Sequence, residues 1–124
     1  MPKLRNFLET QTFTRTWASE DMTDEDLRGL QATLTLDPNV GDSLDSTGLR
    51  KLRVAAKQKG KRSGGRVIYA NFDEYSYTVL VAFYAKNAKI DLTPKEKNLF
   101  EDLLERLEKA IITDFFKKRK KDKS

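Results

Sequence analysis

The residues best equipped for chemistry in this chain are cations gathered on one short span. Leu49 to Arg66 carries eight of them, Arg50, Lys51, Arg53, Lys57, Lys59, Lys61, Arg62 and Arg66, and no acid interrupts the chain between Asp45 and Asp73. Like charges this close repel one another, so the natural partner is a polyanion. Lys86 and Lys89 follow downstream, with Tyr84 and Asn87 beside them. Lysines, arginines and a tyrosine on one surface can bind a phosphodiester. Where the substrate is RNA they can also cleave it, because the 2′-hydroxyl supplies an internal nucleophile. Crowding by cations lowers the pKa of an amine, which then serves as a general base near neutral pH. An arginine opposite holds the extra charge of the pentacoordinate transition state. Stripped of chemistry, the same residues make a plain RNA-binding face or a loop that captures an acidic protein segment, and residue types alone leave all three open.

Composition narrows the chemistry further. The chain has no cysteine and no histidine, which removes disulfides, thiolate nucleophiles and the usual zinc ligands, so no metal or other cofactor is expected. Its formal charge of +5 hides a partition. The basic span holds +8, the end from Lys117 to Lys123 holds six cations against Asp122, and the ten remaining cations against eighteen acids leave the rest at −8. The molecule is a mildly acidic body with two basic features. The start M-P-K-L-R-N-F lacks the apolar run of a signal peptide, and nothing approaches the roughly 20 apolar residues that span a membrane. A soluble, cytoplasmic protein without membrane partners is the expectation.

At 124 residues the chain fits one domain, expected over residues 1–116, with 117–124 as a disordered basic tail. The elements that must position the cations can be read in order. Residues 3–9 alternate loosely as a first strand, and Phe13 and Trp17, at i and i+4, face one way on a short helix. Thr23-Asp24-Glu25-Asp26 starts a second helix with the stripe Leu27, Leu30 and Leu34, stopped by Asp37-Pro38. Residues 39–48 read as a loop. Leu49 to Ala55 reads as a strand with Lys51 and Arg53 on one face and Arg50, Leu52 and Val54 on the other.

Residues 56–65 carry no core-forming side chain and are expected to be a mobile loop, with Gly64-Gly65 relieving sterics where Arg66 opens the next strand. Asp73 to Ser76 turn the chain into a third strand, Tyr77 to Tyr84. It is apolar on both parities (Tyr77, Val79, Val81, Phe83 against Leu80, Ala82, Tyr84), as in the covered middle of a sheet. Thr93-Pro94-Lys95-Glu96 starts a helix of about five turns whose stripe runs from Leu99 to Ile111 and packs on the sheet.

The order G-L-R-K-L-R, a Lys/Gly loop ending in S-G-G-R-V-I-Y, an apolar strand, then Y-A-K-N-A-K-I-D-L before a Thr-Pro-capped helix resembles the RelE/HigB superfamily of toxins from type II toxin–antitoxin systems. The likeness is nearest to the HigB-like branch and covers residues 3 to 112. It implies a small α+β domain: an antiparallel sheet made of an N-terminal strand and a three-stranded meander, two N-terminal helices and one long C-terminal helix. It also implies an endoribonuclease, an mRNA interferase that cuts mRNA in the decoding site of the ribosome without metal and so inhibits translation, and a HigA-like helix-turn-helix antitoxin as partner.

Lys51 and Arg53 match the basic positions of the first meander strand, Arg66 the arginine opening the next, and Lys86 the lysine of the Y-x-K-N turn. In the roles the resemblance implies, Arg66 clamps the transition-state phosphate and Lys51 or Lys86 transfers the proton. Arg50, Arg53, Lys57, Lys59, Lys61, Arg62 and Lys89 hold RNA or ribosome. Tyr84 and Asn87 are secondary candidates, whose alternatives are packing and turn formation. Ala88 stands where relatives often have Glu in Y-x-K-N-E.

Overall fold

The computed structural model describes residues 4–44, 48–56, 64–85 and 93–122, with side chains as far as Lys118. Five strands form one sheet in the order β1-β5-β4-β3-β2, built from Asn6–Glu9 (β1), Asp42–Leu44 (β2), Leu49–Ala55 (β3), Gly64–Phe72 (β4) and Tyr77–Ala85 (β5). Helices Gln11–Ser19 (α1) and Asp24–Leu36 (α2) supply one apolar layer and Pro94–Asp122 (α3) another. The fold is α+β, as the resemblance implies.

Local chemistry explains where the helices begin. The Phe13 amide donates to Thr10 Oγ1 at 3.0 Å, capping α1. At α2 the Asp26 amide donates to Thr23 Oγ1 (3.0 Å) and the Thr23 amide to Asp26 Oδ2 (2.9 Å), a reciprocal capping box. Thr93 and Glu96 repeat that box for α3, at 3.1 Å each way. Phe13 and Trp17 stack at 5.3 Å, Trp17 meets Phe83 edge-on at 4.9 Å, and both pack with Leu30, Leu34, Val67, Tyr69 and Leu80 on the first face of the sheet. Phe100, Leu103, Leu104, Leu107 and Ile111 of α3 pack on the second, against Ile68, Ala70, Val79 and Val81.

Several expectations are corrected. The sheet is mixed, because β1 pairs with β5 in parallel; Asn6 N–H donates to the Ser76 carbonyl at 2.8 Å and Thr10 N–H to the Leu80 carbonyl at 3.1 Å. Alternation reveals a strand but not its direction. The stretch read as loop contains β2, which pairs with β3 only over Leu49–Lys51. Strand β4 starts at Gly64, whose φ of +114° lies in the region that glycine tolerates. Helix α3 runs through Asp122 where a disordered tail was expected. Lysine and arginine are good helix formers, and cations suit the negative end of a helix dipole.

The joint between α3 and the sheet lies at its far end. The Tyr77 hydroxyl donates to Asp114, and Phe115 meets Tyr75 edge-on at 5.3 Å. Tyr84, at the other end of β5, feels Glu96 in the first turn of α3. The helix therefore runs antiparallel to β5 along its length. No helix among the described residues is long and apolar enough to cross a membrane.

Candidate functional site

Register brings the site together. Arg53 of β3 stands directly opposite Arg66 of β4, and Arg66 directly opposite Tyr84 of β5. Directly opposed residues share a face, with Cβ atoms about 5 Å apart. Lys51 joins them from the next row, opposite Ile68 and roughly 7 Å along β3 from Arg53. All four lie on the face that α3 covers, because Leu49, Ile68, Ala82 and Tyr84 belong to that layer whereas Leu52, Val54 and Val67 belong to the other. Arg53 is exposed; Lys51, Arg66 and Tyr84 are half-buried.

Tyr84 reaches this face through a β-bulge. Register shifts between Ile68 and Tyr69, whose partners are Ala82 and Leu80, so Val81 is the extra residue. Strict alternation would send Phe83 to the face of Tyr77, Val79 and Val81, and Tyr84 to the opposite one. Instead Ala82 and Tyr84 continue on the α3 face, and Phe83 turns in beside Trp17. The bulge overturns the two parity sets read from the sequence and re-aims one side chain into the row.

Glycine makes the close approach possible. A Cβ on Gly65 would sit 2.0 Å from the Tyr84 carbonyl oxygen, so only glycine lets β4 lie this close to β5 immediately before Arg66. The tyrosine's own environment is distinctive too. Burial, and secondarily the Glu96 carboxylate, push the Tyr84 pKa above its ordinary 10.0. At neutral pH it is a neutral phenol and thus a hydrogen-bond donor. The influence of Glu96 could not be read from sequence, since it depends on where α3 docks.

Arg50 is not part of the row. It lies on the opposite face of β3 and donates to the Gly41 carbonyl at 2.6 Å and the Asn39 carbonyl at 3.3 Å. There it joins Tyr69, whose hydroxyl accepts from Gly41 N–H and donates to the Pro38 carbonyl, each at 2.9 Å. Together they hold the segment between α2 and β2. Lys57, Lys59, Lys61, Arg62, Lys86, Asn87 and Lys89 lie outside the described residues. The segments that carry them leave the described chain at Ala56, Gly64 and Ala85, all at the end of the sheet next to the row.

Comparison with known proteins completes the description. The family described as RelE toxin of the RelE / RelB toxin-antitoxin system matches residues 5–122. Among solved structures, the chain is similar to a double arginine-to-alanine mutant of E. coli toxin RelE in the free state. The TM-score is 0.52 at 14% identity, covering 70% of this chain and 88% of that one. At that identity the likeness speaks for the fold.

Proposed function

The chain belongs to the RelE family of toxins from toxin–antitoxin systems, and from that membership we propose that it is an endoribonuclease that cuts mRNA in the decoding site of the ribosome, using the row Arg53, Arg66 and Tyr84 with Lys51 beside it. The observation that carries this reading is the register: two guanidiniums and a neutral phenol in one line across three strands. That line matches a phosphodiester whose negative charge grows in the transition state.

In this scheme a base takes the 2′-hydroxyl proton and the 2′-oxygen attacks the adjacent phosphorus. The bond from phosphorus to the 5′-oxygen breaks, leaving a 2′,3′-cyclic phosphate, and the departing oxygen takes up a proton. Arg66, flanked on both sides, clamps the phosphoryl oxygens. Lys51, or Lys86 from the adjoining segment, handles the proton. Tyr84 donates a hydrogen bond to a phosphoryl or leaving oxygen, while Arg53 with Lys57 and Lys61 holds the backbone. A HigA-like antitoxin is the partner expected to block the site.

Mapping mRNA 5′ ends by primer extension on programmed ribosomes tests the reading. Arg66→Ala is expected to lower cleavage about 10²- to 10³-fold, the scale of losing a transition-state donor. Tyr84→Phe is expected to lower it about 10- to 100-fold, as for a hydrogen bond to a charged group. Circular dichroism should report a native fold in both. Ribosome binding by the wild-type chain without new 5′ ends would make it a non-catalytic RNA-binding module instead.

A further inference from the structure

We propose that the C-terminal end of α3 is a second RNA-backbone contact, separate from the cationic row, through which the protein grips a large folded RNA. The proposal rests on the reading of the chain as an RNA-cutting toxin. It begins from where α3 stops packing. Asp114 and Phe115 close the packed part of the helix against Tyr77 of β5 and Tyr75 of the turn before it, and beyond them only the Lys118 ammonium reaches back, to Tyr77, among the described side chains. Phe116 is 57% exposed, Lys117 and Lys118 are exposed, and the helix continues to Asp122.

Over residues 117–123 the sequence is K-K-R-K-K-D-K, without a single apolar residue. A protein interface is built around a desolvated core depleted of charge, which this end cannot supply. Phosphate contacts need only cations. Lys118 is already positioned at the surface: its Nζ lies 3.4 Å from Asp114 Oδ2, 3.5 Å from the Tyr77 hydroxyl and 5.8 Å from the centre of that ring. Asp114 offsets one cation and leaves the run strongly positive.

Geometry separates this contact from the row. Lys118 sits beside Tyr77 whereas the row includes Tyr84, seven residues on along β5, which places the two features roughly 23 Å apart. Between them the exposed surface of α3 carries Glu101, Asp102, Glu105 and Glu108 against Arg106 and Lys109, and is net negative. An RNA strand running continuously from one to the other would lie against those carboxylates. The two contacts are therefore discrete, and the ligand presents phosphates at two separated places, as folded ribosomal RNA does and a short mRNA segment does not.

The test compares the full chain with a variant in which Lys117, Lys118, Arg119, Lys120, Lys121 and Lys123 are all replaced by glutamine, which keeps helix propensity. Binding to ribosomes is measured against salt. The slope of log K on log[salt] is expected to shrink by about 3 to 5, and affinity at fixed salt to fall at least about tenfold. Affinity for a trinucleotide RNA, which spans only about 10 Å along a helix axis, should not change. An unchanged ribosome slope overturns the proposal. So does an equal loss on the trinucleotide, which would mean one continuous site, or a loss confined to polyglutamate, which would mean an acidic protein partner. Primer extension with the full chain separates the two readings: cleavage with an unchanged slope sinks only the second contact, whereas neither binding nor cleavage sinks both.

Discussion

Arg53 and Arg66 face each other across β3 and β4 with no acid opposite either among the described residues, a pairing that opposes folding. The sheet holds them because residues on the other face of the same strands, Leu52, Val54 and Val67, pack into the first core layer. Replacing Arg53 by Thr, which suits a strand, should therefore raise stability by roughly 0.2–1 kcal/mol. Cleavage should fall at the same time; urea unfolding and primer extension on one preparation check both. Arg50→Ala should do the reverse, costing about 1–3 kcal/mol by orphaning the part-buried Gly41 carbonyl while sparing cleavage. The opposed faces of Arg50 and Arg53 were legible, because Leu52 and Val54 mark the core parity of L-R-K-L-R-V. The engagement of Arg50 with the Asn39 and Gly41 carbonyls was not, since those partners lie eleven and nine residues away in a stretch that reads as turn.

At the scale of elements, the site depends on one extra residue in β5. Nothing in V-L-V-A-F-Y-A announces a bulge, because every side chain there is apolar or aromatic and either parity buries well. Without the extra residue the register would bring Phe83 opposite Arg66; the bulge brings Tyr84 there. The two geometries give opposite results in a side-chain exchange. If alternation held, Tyr84→Phe would leave cleavage intact, and adding Phe83→Tyr would set a new hydroxyl on the row's face. With the bulge, Phe83→Tyr puts that hydroxyl in the core beside Trp17, at a position 2% exposed. The double variant should stay as inactive as Tyr84→Phe and lose about a further 1–3 kcal/mol for an unpartnered buried hydroxyl. Recovered cleavage would contradict the register. Helix starts, by contrast, were legible, since Thr23-x-x-Asp26 and Thr93-x-x-Glu96 carry their own caps. Strand β2 was hidden by its Gly, Asp and Ser neighbours.

Across the whole molecule, α3 links the two ends of the sheet, with its first turn beside Tyr84 and its last packed turn at Tyr77. The sequence foretold a helix on the sheet from the stripe Leu99 to Ile111. It did not foretell a polar joint at the far end, because Tyr77 and Asp114 are 37 residues apart. That joint titrates at both edges of the pH range. The Tyr77 hydroxyl, with Lys118, holds the Asp114 carboxyl below its ordinary 3.8. A depressed carboxylate stabilises the fold above 3.8, and that contribution is lost as pH falls through the folded value. Burial, and then the bond to Asp114, raise Tyr77 above 10.0, so its contribution is present below 10.0 and lost as pH rises through the folded value. The urea midpoint of the native chain should therefore exceed that of Asp114→Ala by a constant margin between about pH 5 and 9, and the margin should narrow below pH 3.8. A margin that persists unchanged into acid would mean that Asp114 does not carry the joint. Cleavage by the folded variant at neutral pH should match the native chain, because the joint lies roughly 23 Å from the row.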